Sequence, residues 1–356
     1  MSDTAPLLSV RDLRVQFNTD EGVVRAVDGI SFDVAPGETV CVVGESGSGK
    51  TVACESITKL IPMPPGEIAG GEVRFDGDDL TDASEKQLQS IRGDRIAHIF
   101  QDPQGALNPV YPVGAQIAEA VRLHSDVSKA AARDRAIDLL DRVGIPEATN
   151  RVDDYPHEFS GGMKQRVVIA MALAADPDLL IADEPTTALD VTIQSQILNL
   201  LRDLQDEFGM SIIFVTHNLG VVAEVADRVV VMYAGKVMET GSVHDVFERP
   251  SHPYTKSLLE CLPGIGRSME PIGGSLPDLT APPEGCRFHP RCPHATADCR
   301  SGSHPELLEA ASDHRAACVY YGPGYDVSAI RGDGEAETRA TDGGRDDSHD
   351  SHGDSR

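Results

Sequence analysis

The sequence has no apolar run approaching the eighteen or so residues needed to cross a bilayer, so no membrane-spanning helix is expected. Its first residues, MSDTAPLLSV, lack the basic segment and apolar core of a secretory leader, and a cytoplasmic location is expected. Lysine is scarce: most of the 31 basic residues are Arg, set against 57 Asp and Glu. The resulting net charge of −26 argues against non-specific binding to nucleic acid or anionic lipid. An acidic, lysine-poor surface fits a salt-rich cytoplasm, where repulsion is screened within about 3 Å at 1 M salt. Also missing is any C-x2–4-C pair, the knuckle that structural zinc prefers, although the chain has seven Cys.

What is present is enough for one large domain and a smaller appendage: 356 residues, 40% of them hydrophobic. LLSVRDLRVQF and AVDGISFDV alternate apolar and polar residues as strands do. TVCVVG is a short buried strand running into a Gly-rich loop, and TVACESITKLI reads as the helix after it. EVRF and RIAHIF read as strands, and residues 114–145 as helices with apolar residues three and four apart. A capped helix is expected from Ser160, a buried strand at DLLIADE, a long helix ending at Gly209, and strands at MSIIFVTH and RVVVMYAG. This alternation predicts an α/β fold around a parallel sheet. Beyond about residue 250, Pro, Gly and Cys become dense, and from about residue 326 a polar tail is expected to be disordered.

Three stretches carry chemistry. GESGSGKT comprises Gly44, Glu45, Ser46, Gly47, Ser48, Gly49, Lys50 and Thr51. Its glycines let backbone N–H groups turn onto phosphates, and the following helix adds its dipole. Lys50 can reach the β- and γ-phosphates, and the Thr51 hydroxyl can hold Mg2+. DLLIADEP ends a buried strand on Asp183, placed to hold Mg2+, and Glu184, placed to polarise an attacking water. FSGGMKQR offers Ser160, Gly161 and Gly162 at a helix start.

Together with Gln101 in IFQDP, Asp190 in ALD and His217 in VTHN, these motifs resemble the ATP-binding cassette (ABC) ATPases over roughly residues 7–250. The resemblance implies a P-loop NTPase core, a mixed β-sheet with helices plus a helical signature subdomain at about 102–172. It implies a head-to-tail dimer holding two ATP molecules. Ser160, Gly161 and Gly162 would then meet the γ-phosphate held by the other subunit. Gln101 would sense Mg2+ and water and link to a membrane partner, His217 would contact the γ-phosphate, and Asp190 would shape the dimer interface. Phe17 aligns with the adenine-stacking aromatic, although a core strand position explains it equally well.

Within that family, QDPQGALNPVYPVGAQI, DEPTTALDVTIQ and HPYTKSLL resemble the ATPases of dipeptide and oligopeptide importers, with nickel-importer ATPases close by. PIGGSLPDL and PPEGCRFHPRCPHATADCR resemble their C-terminal extension, expected at 251–325. The implied machine sits on the cytoplasmic face of the membrane. It has a second ATPase subunit, identical or related, two transmembrane permeases and an extracellular substrate-binding protein. Its cargo is di- or oligopeptides; nickel or oligosaccharide is the alternative. A soluble ABC ATPase of DNA repair or translation fits less well, since such proteins carry two cassettes or a coiled-coil insertion. A metal-sensing regulator built on the cysteines is a further reading.

Cys41, Cys54 and Cys261 lie in apolar or helical settings and read as core residues. Cys286, Cys292, Cys299 and Cys318 fall within 33 residues of loop-rich chain, where a metal centre could substitute for a core. A cytoplasmic chain disfavours disulfides. The wide spacing suits a cubane cluster, whose thiolates bind different irons, and the family resemblance implies a 4Fe–4S cluster here. Zinc stays open because His289, His294 and His314 lie nearby. His349 and His352 in the tail are read as solvated.

Overall fold

The computed structural model describes residues 5–262 and 272–330, except residue 188. Strands β1 (Leu8–Thr19) and β2 (Gly22–Val34) form a hairpin, and β3 (Thr39–Val43) leads into α1 (Lys50–Ile57). Then come β4 (Gly66–Phe75), β5 (Asp78–Asp79), α2 (Glu85–Gln89) and β6 (Ile96–Ile99). A helical segment follows: α3 (Pro103–Ala106), α4 (Val113–His124), α5 (Lys129–Arg142), α6 (Ala148–Arg151) and α7 (Gly161–Ala172). Next are β7 (Leu179–Asp183), α8 (Val191–Phe208), β8 (Ser211–Thr216), α9 (Leu219–Val225) and β9 (Arg228–Tyr233). The chain continues through β10 (Lys236–Ser242), α10 (Val243–Glu248), α11 (Pro253–Glu260), β11 (Leu308–Ala311) and β12 (His314–Ala316).

Two sheets result. One is antiparallel, in the order β2-β1-β4-β5; the other runs β11-β12-β10-β9-β3-β8-β7-β6, parallel from β9 to β6. Side chains alternate faces along a strand, and the buried residues follow that rule. Val40 and Val42 of β3 join a core shared with the small sheet, whereas Cys41 and Val43 face a second core with the helices. Ile213 and Val215 of β8 divide from Ile212 and Phe214 in the same way. Ala53, Cys54 and Ile57 place α1 in the first core, between the sheets. In β1 the buried set changes parity between Val10 and Leu13, where a bulge carries Asp12 at φ 46°. One extra residue there keeps Leu8, Val10, Leu13 and Val15 all inward.

The helical segment packs Val113, Ile117 and Val121 of α4 against Ala132, Ala136 and Leu139 of α5. Its exit is α7, capped by Ser160. Helix α8 starts on Asp190, whose carboxylate accepts from Ile193 N at 3.0 Å, and ends on Gly209 at φ 66°. The Ser160 cap of α7 and the Gly209 end of α8 match the sequence expectation, whereas the capping role of Asp190 was not foreseen. Among the described residues no helix is long and apolar enough to cross a membrane.

The extension is less separate than its composition implies. β12 pairs with β10, and β11 with β12, so the cysteine-rich segment lengthens the main sheet. The tail was expected from residue 326, yet ordered elements run to Ile330, which is 6% exposed. Residues 331–356, with His349 and His352, lie outside the described residues.

Candidate nucleotide site

The loop between β3 and α1 turns on glycines that have no substitute. Gly44, Gly47 and Gly49 hold φ of 150°, 80° and 97°, a region that side-chain-bearing residues rarely adopt. A Cβ on Gly44 would also collide with the Met232 carbonyl, and one on Gly49 with the Ala26 carbonyl. The loop thus nests against two neighbouring strands. Lys50, 5% exposed, spans it: Nζ donates to Gly44 O and Glu45 O, both at 2.9 Å. Burial lowers the Lys50 pKa, while the charges of Glu184 and Asp183 act the other way. Ser48 is fully buried, and its Oγ has no hydrogen-bond partner among the described residues.

At the end of β7, Asp183 is 6% exposed. Burial raises its pKa, and a hydrogen bond from Thr51 partly offsets this. Its Oδ1 is buried without a hydrogen-bond partner among the described residues. A carboxylate oxygen orphaned beside a hydroxyl, at the mouth of a phosphate loop, fits Mg2+. That ion takes few protein ligands, and water and phosphate oxygens complete its shell.

Glu184 follows in a strained conformation, φ 46°. Three side chains hold its carboxylate. Gln101 Nε2 donates to Oε2 at 3.1 Å, Thr187 Oγ1 donates to Oε2 at 3.0 Å, and His217 Nδ1 lies 2.8 Å from Oε1. Burial pushes the Glu184 pKa up, but the bonds from His217 and Thr187 and the charges of His217 and Lys50 leave it below its ordinary value. The ionised carboxylate makes His217 Nδ1 the donor and leaves Nε2 free to face a ligand. Gly44, Glu45, Ser46, Gln101, Glu184 and His217 all line one cleft of about 520 Å3, together with Thr187.

The other expected residues lie elsewhere. Ser160 is exposed, and its Oγ accepts from Met163 N at 3.4 Å. A Cβ on Gly161 would meet nothing within 4 Å, but Gly162 touches Ile193 of α8. None of the three lines the cleft, so within one chain the signature stands apart from the phosphate loop. Asp190 caps α8. Phe17 is half-buried in β1 and packs against the core between the sheets.

Cys41 and Cys54 are buried core residues, as expected, and Cys261 is half-buried. In the extension, burial and the nearby thiols of Cys299 and Cys292 push Cys286 up to about 12. Cys318 is likewise raised to about 12, by burial and by Cys286, Cys292 and Cys299. The four sulfurs therefore share one neighbourhood. Even so, no three His, Cys, Asp or Glu among the described residues stand close enough to hold a metal ion. The expected metal centre is not borne out as a preformed cage. Of the histidines that kept zinc open, His314 is 2% exposed and bound to Glu239 at 2.7 Å, and His289 Nδ1 lies 2.9 Å from Cys286 O.

Sequence reasoning missed Thr187, although it lies in the quoted DEPTTALD. It also missed the return of the extension onto the phosphate loop. Glu45 N donates to Tyr254 Oη at 3.0 Å, and Arg291 binds the Glu45 carboxylate across 246 residues. No local pattern encodes such a contact.

Comparison with known proteins agrees with this geometry. The ABC transporter family model matches residues 27–187, and that of the oligopeptide/dipeptide transporter C-terminal region matches 238–299. The chain is 56% identical over 293 residues to the oligopeptide transport ATP-binding protein OppD of Bacillus subtilis, covering 81% of this chain and 82% of that one. It is 49% identical over 317 residues to the dipeptide transport ATP-binding protein DppD of Escherichia coli, covering 88% and 96%. Among solved structures, the ATP-binding cassette MJ0796, a dimer bound to ADP and Pi, superposes with a TM-score of 0.60. That match is at 28% identity over 66% of this chain and 98% of that one.

Proposed function

Since the chain belongs to the ABC transporter family, we propose that it is the ATP-hydrolysing subunit of an importer for di- and oligopeptides. The observation that carries the reading is the single cleft joining the phosphate loop to Gln101, Glu184 and His217. The match of the extension to the peptide-transporter C-terminal region points to the cargo.

In this reading the nucleotide phosphates lie on the loop from Gly44 to Thr51, with Lys50 on the β- and γ-phosphates. Thr51, Asp183 and Gln101 hold Mg2+, which neutralises charge on the transferred group. Glu184 orients the attacking water. Its depressed pKa makes it a weak base, so it polarises and positions the water more than it removes a proton. His217 Nε2 faces the γ-phosphate, and Phe17 lies against the adenine. The exposed Ser160 and Gly161, with the half-buried Gly162, serve the phosphates of a second ATPase subunit, identical or related, since a helix start with bare N–H groups is an anion site. ATP then favours the closed dimer, a population shift felt by two permease subunits on the cytoplasmic face of the membrane. An extracellular binding protein delivers the peptide, and no nucleic acid is involved.

The chain divides into a cassette (1–250, helical subdomain about 102–172) and an extension (251–325). The four extension thiols are a donor set for a 4Fe–4S cluster, with zinc as the alternative; either would act as a structural cross-link. The acidic, lysine-poor surface is read as an adaptation to high salt. The test is a host whose own peptide importer ATPase is deleted. This chain, with its permeases and binding protein, should restore uptake of a labelled peptide, and the Glu184→Gln variant should not. Restored nickel uptake without peptide uptake would move the cargo to the alternative.

A further inference from the structure

The turn His289–Arg291, which directly precedes Cys292, carries a guanidinium against Glu45, one of the residues that line the nucleotide cleft. The Arg291 side chain is 6% exposed, and every nitrogen is engaged. Nε donates to Gly273 O at 2.8 Å and Nη2 to Ile272 O at 3.0 Å. Nη1 reaches both Glu45 carboxylate oxygens at 3.0 Å and Tyr233 Oη at 3.3 Å. The group also lies 5.6 Å from the centre of the Tyr233 ring. Five acceptor atoms are served at once, matching the five N–H donors of a guanidinium fork and exceeding the three of a lysine ammonium.

Its target is the first residue after Gly44 in the phosphate loop. Glu45 is held at three further points, none of which uses its carboxylate. Its N donates to Tyr254 Oη at 3.0 Å, and its carbonyl accepts from Lys50 Nζ at 2.9 Å and from Ser48 N at 3.2 Å. Its side chain lines the cleft. Tyr254 packs on Tyr233 and Phe288, with ring centres 4.7 and 5.2 Å away. Leu276 covers Gly47 of the same loop. The extension thus contacts the loop at two of its residues and cancels the one acidic charge within it.

We propose that Arg291 is a positioning residue for the ATPase reaction: it fixes the phosphate loop through Glu45 and neutralises a carboxylate that would otherwise repel the triphosphate. Through it, the cysteine-rich extension sets the affinity of its own chain for nucleotide. This rests on the reading of residues 44–51 as the ATP site.

The experiment measures ATP affinity by calorimetry and ATPase kinetics of the assembled transporter for four chains: wild type, Arg291→Ala, Glu45→Gln and the double variant. Arg291→Ala should weaken ATP binding about tenfold and raise KM more than it lowers kcat. Adding Glu45→Gln should recover most of that loss, because the unpaired charge is gone. A residue that merely held the fold would show no such rescue. Affinity within about twofold of wild type in a folded Arg291→Ala chain, or a loss that Glu45→Gln leaves unrelieved, overturns the proposal. Should Arg291→Ala not fold, Arg291→Gln takes its place, with the same two outcomes. Lys50→Ala is the control for the underlying reading. If it binds ATP as wild type does, the loop assignment itself has failed; if it does not, any failure belongs to Arg291 alone.

Discussion

Gly44 and Gly49 show how little freedom the site leaves to single residues. Each pairs a positive φ with a carbonyl oxygen where a Cβ would stand. Gly49→Ala is therefore expected to abolish ATP binding, by calorimetry, through displacement of the loop and not through loss of a contact. Glu184 is the opposite case, a side chain whose chemistry can be removed while its shape is kept. Glu184→Gln preserves the space and the bond from Gln101 but removes the charge that polarises water. Its turnover should fall by roughly 10²–10⁴-fold with ATP binding intact. The pKa shift fixes the sign of its pH dependence. The folded carboxylate lies below the ordinary value. Its stabilisation is thus present above the unfolded pKa and is lost as pH falls through the lower, folded one. ATPase activity should accordingly hold down to mildly acidic pH as far as Glu184 is concerned.

Among the elements, the β10–β12 pairing decides whether the extension is part of the fold. Glu239 of β10, 0% exposed, accepts from Ser251 N, His252 N and His314 Nε2, each at 2.7 Å. His314→Ala leaves that carboxylate buried with a lost partner. It should cost about 3–5 kcal/mol in chemical denaturation and loosen the extension first, as read by limited proteolysis. None of this pairing was legible in the sequence, because HRA and LEAA are too short and too mixed to show strand periodicity. The cassette elements were legible for the opposite reason. β3, β7 and β8 are apolar runs buried on both faces, and α8 carries a cap at each end. The nucleotide residues were readable because a phosphate loop and a strand-end acid pair are local in sequence. Arg291–Glu45 is not local, and only the folded chain brings the two together.

At the scale of the whole molecule, three histidines, His252 buried and His98 and His304 half-buried, sit far below their ordinary value of 6.5. Burial takes His98 to about 4 and His252 and His304 to about 3. The unfolded chain binds their protons first, so stability is full above about pH 6.5 and is lost as pH falls toward 4. The slope is about 1.4 kcal/mol per histidine per pH unit. Urea midpoints at pH 7 and pH 5 should differ sharply; equal midpoints would mean these rings titrate in the fold as they do in the unfolded chain. The net charge of −26 also predicts a thermal midpoint that rises between about 0.1 M and about 2 M KCl, as repulsion is screened. The central claim is that ATP hydrolysed at this cleft drives peptide into the cell. Its most direct test is peptide uptake by proteoliposomes holding the permeases, the binding protein and this chain with its partner ATPase. ATP on the cytoplasmic side should drive accumulation that Glu184→Gln abolishes. Uptake that persists in that variant, or robust ATP hydrolysis that moves no peptide, would contradict the account.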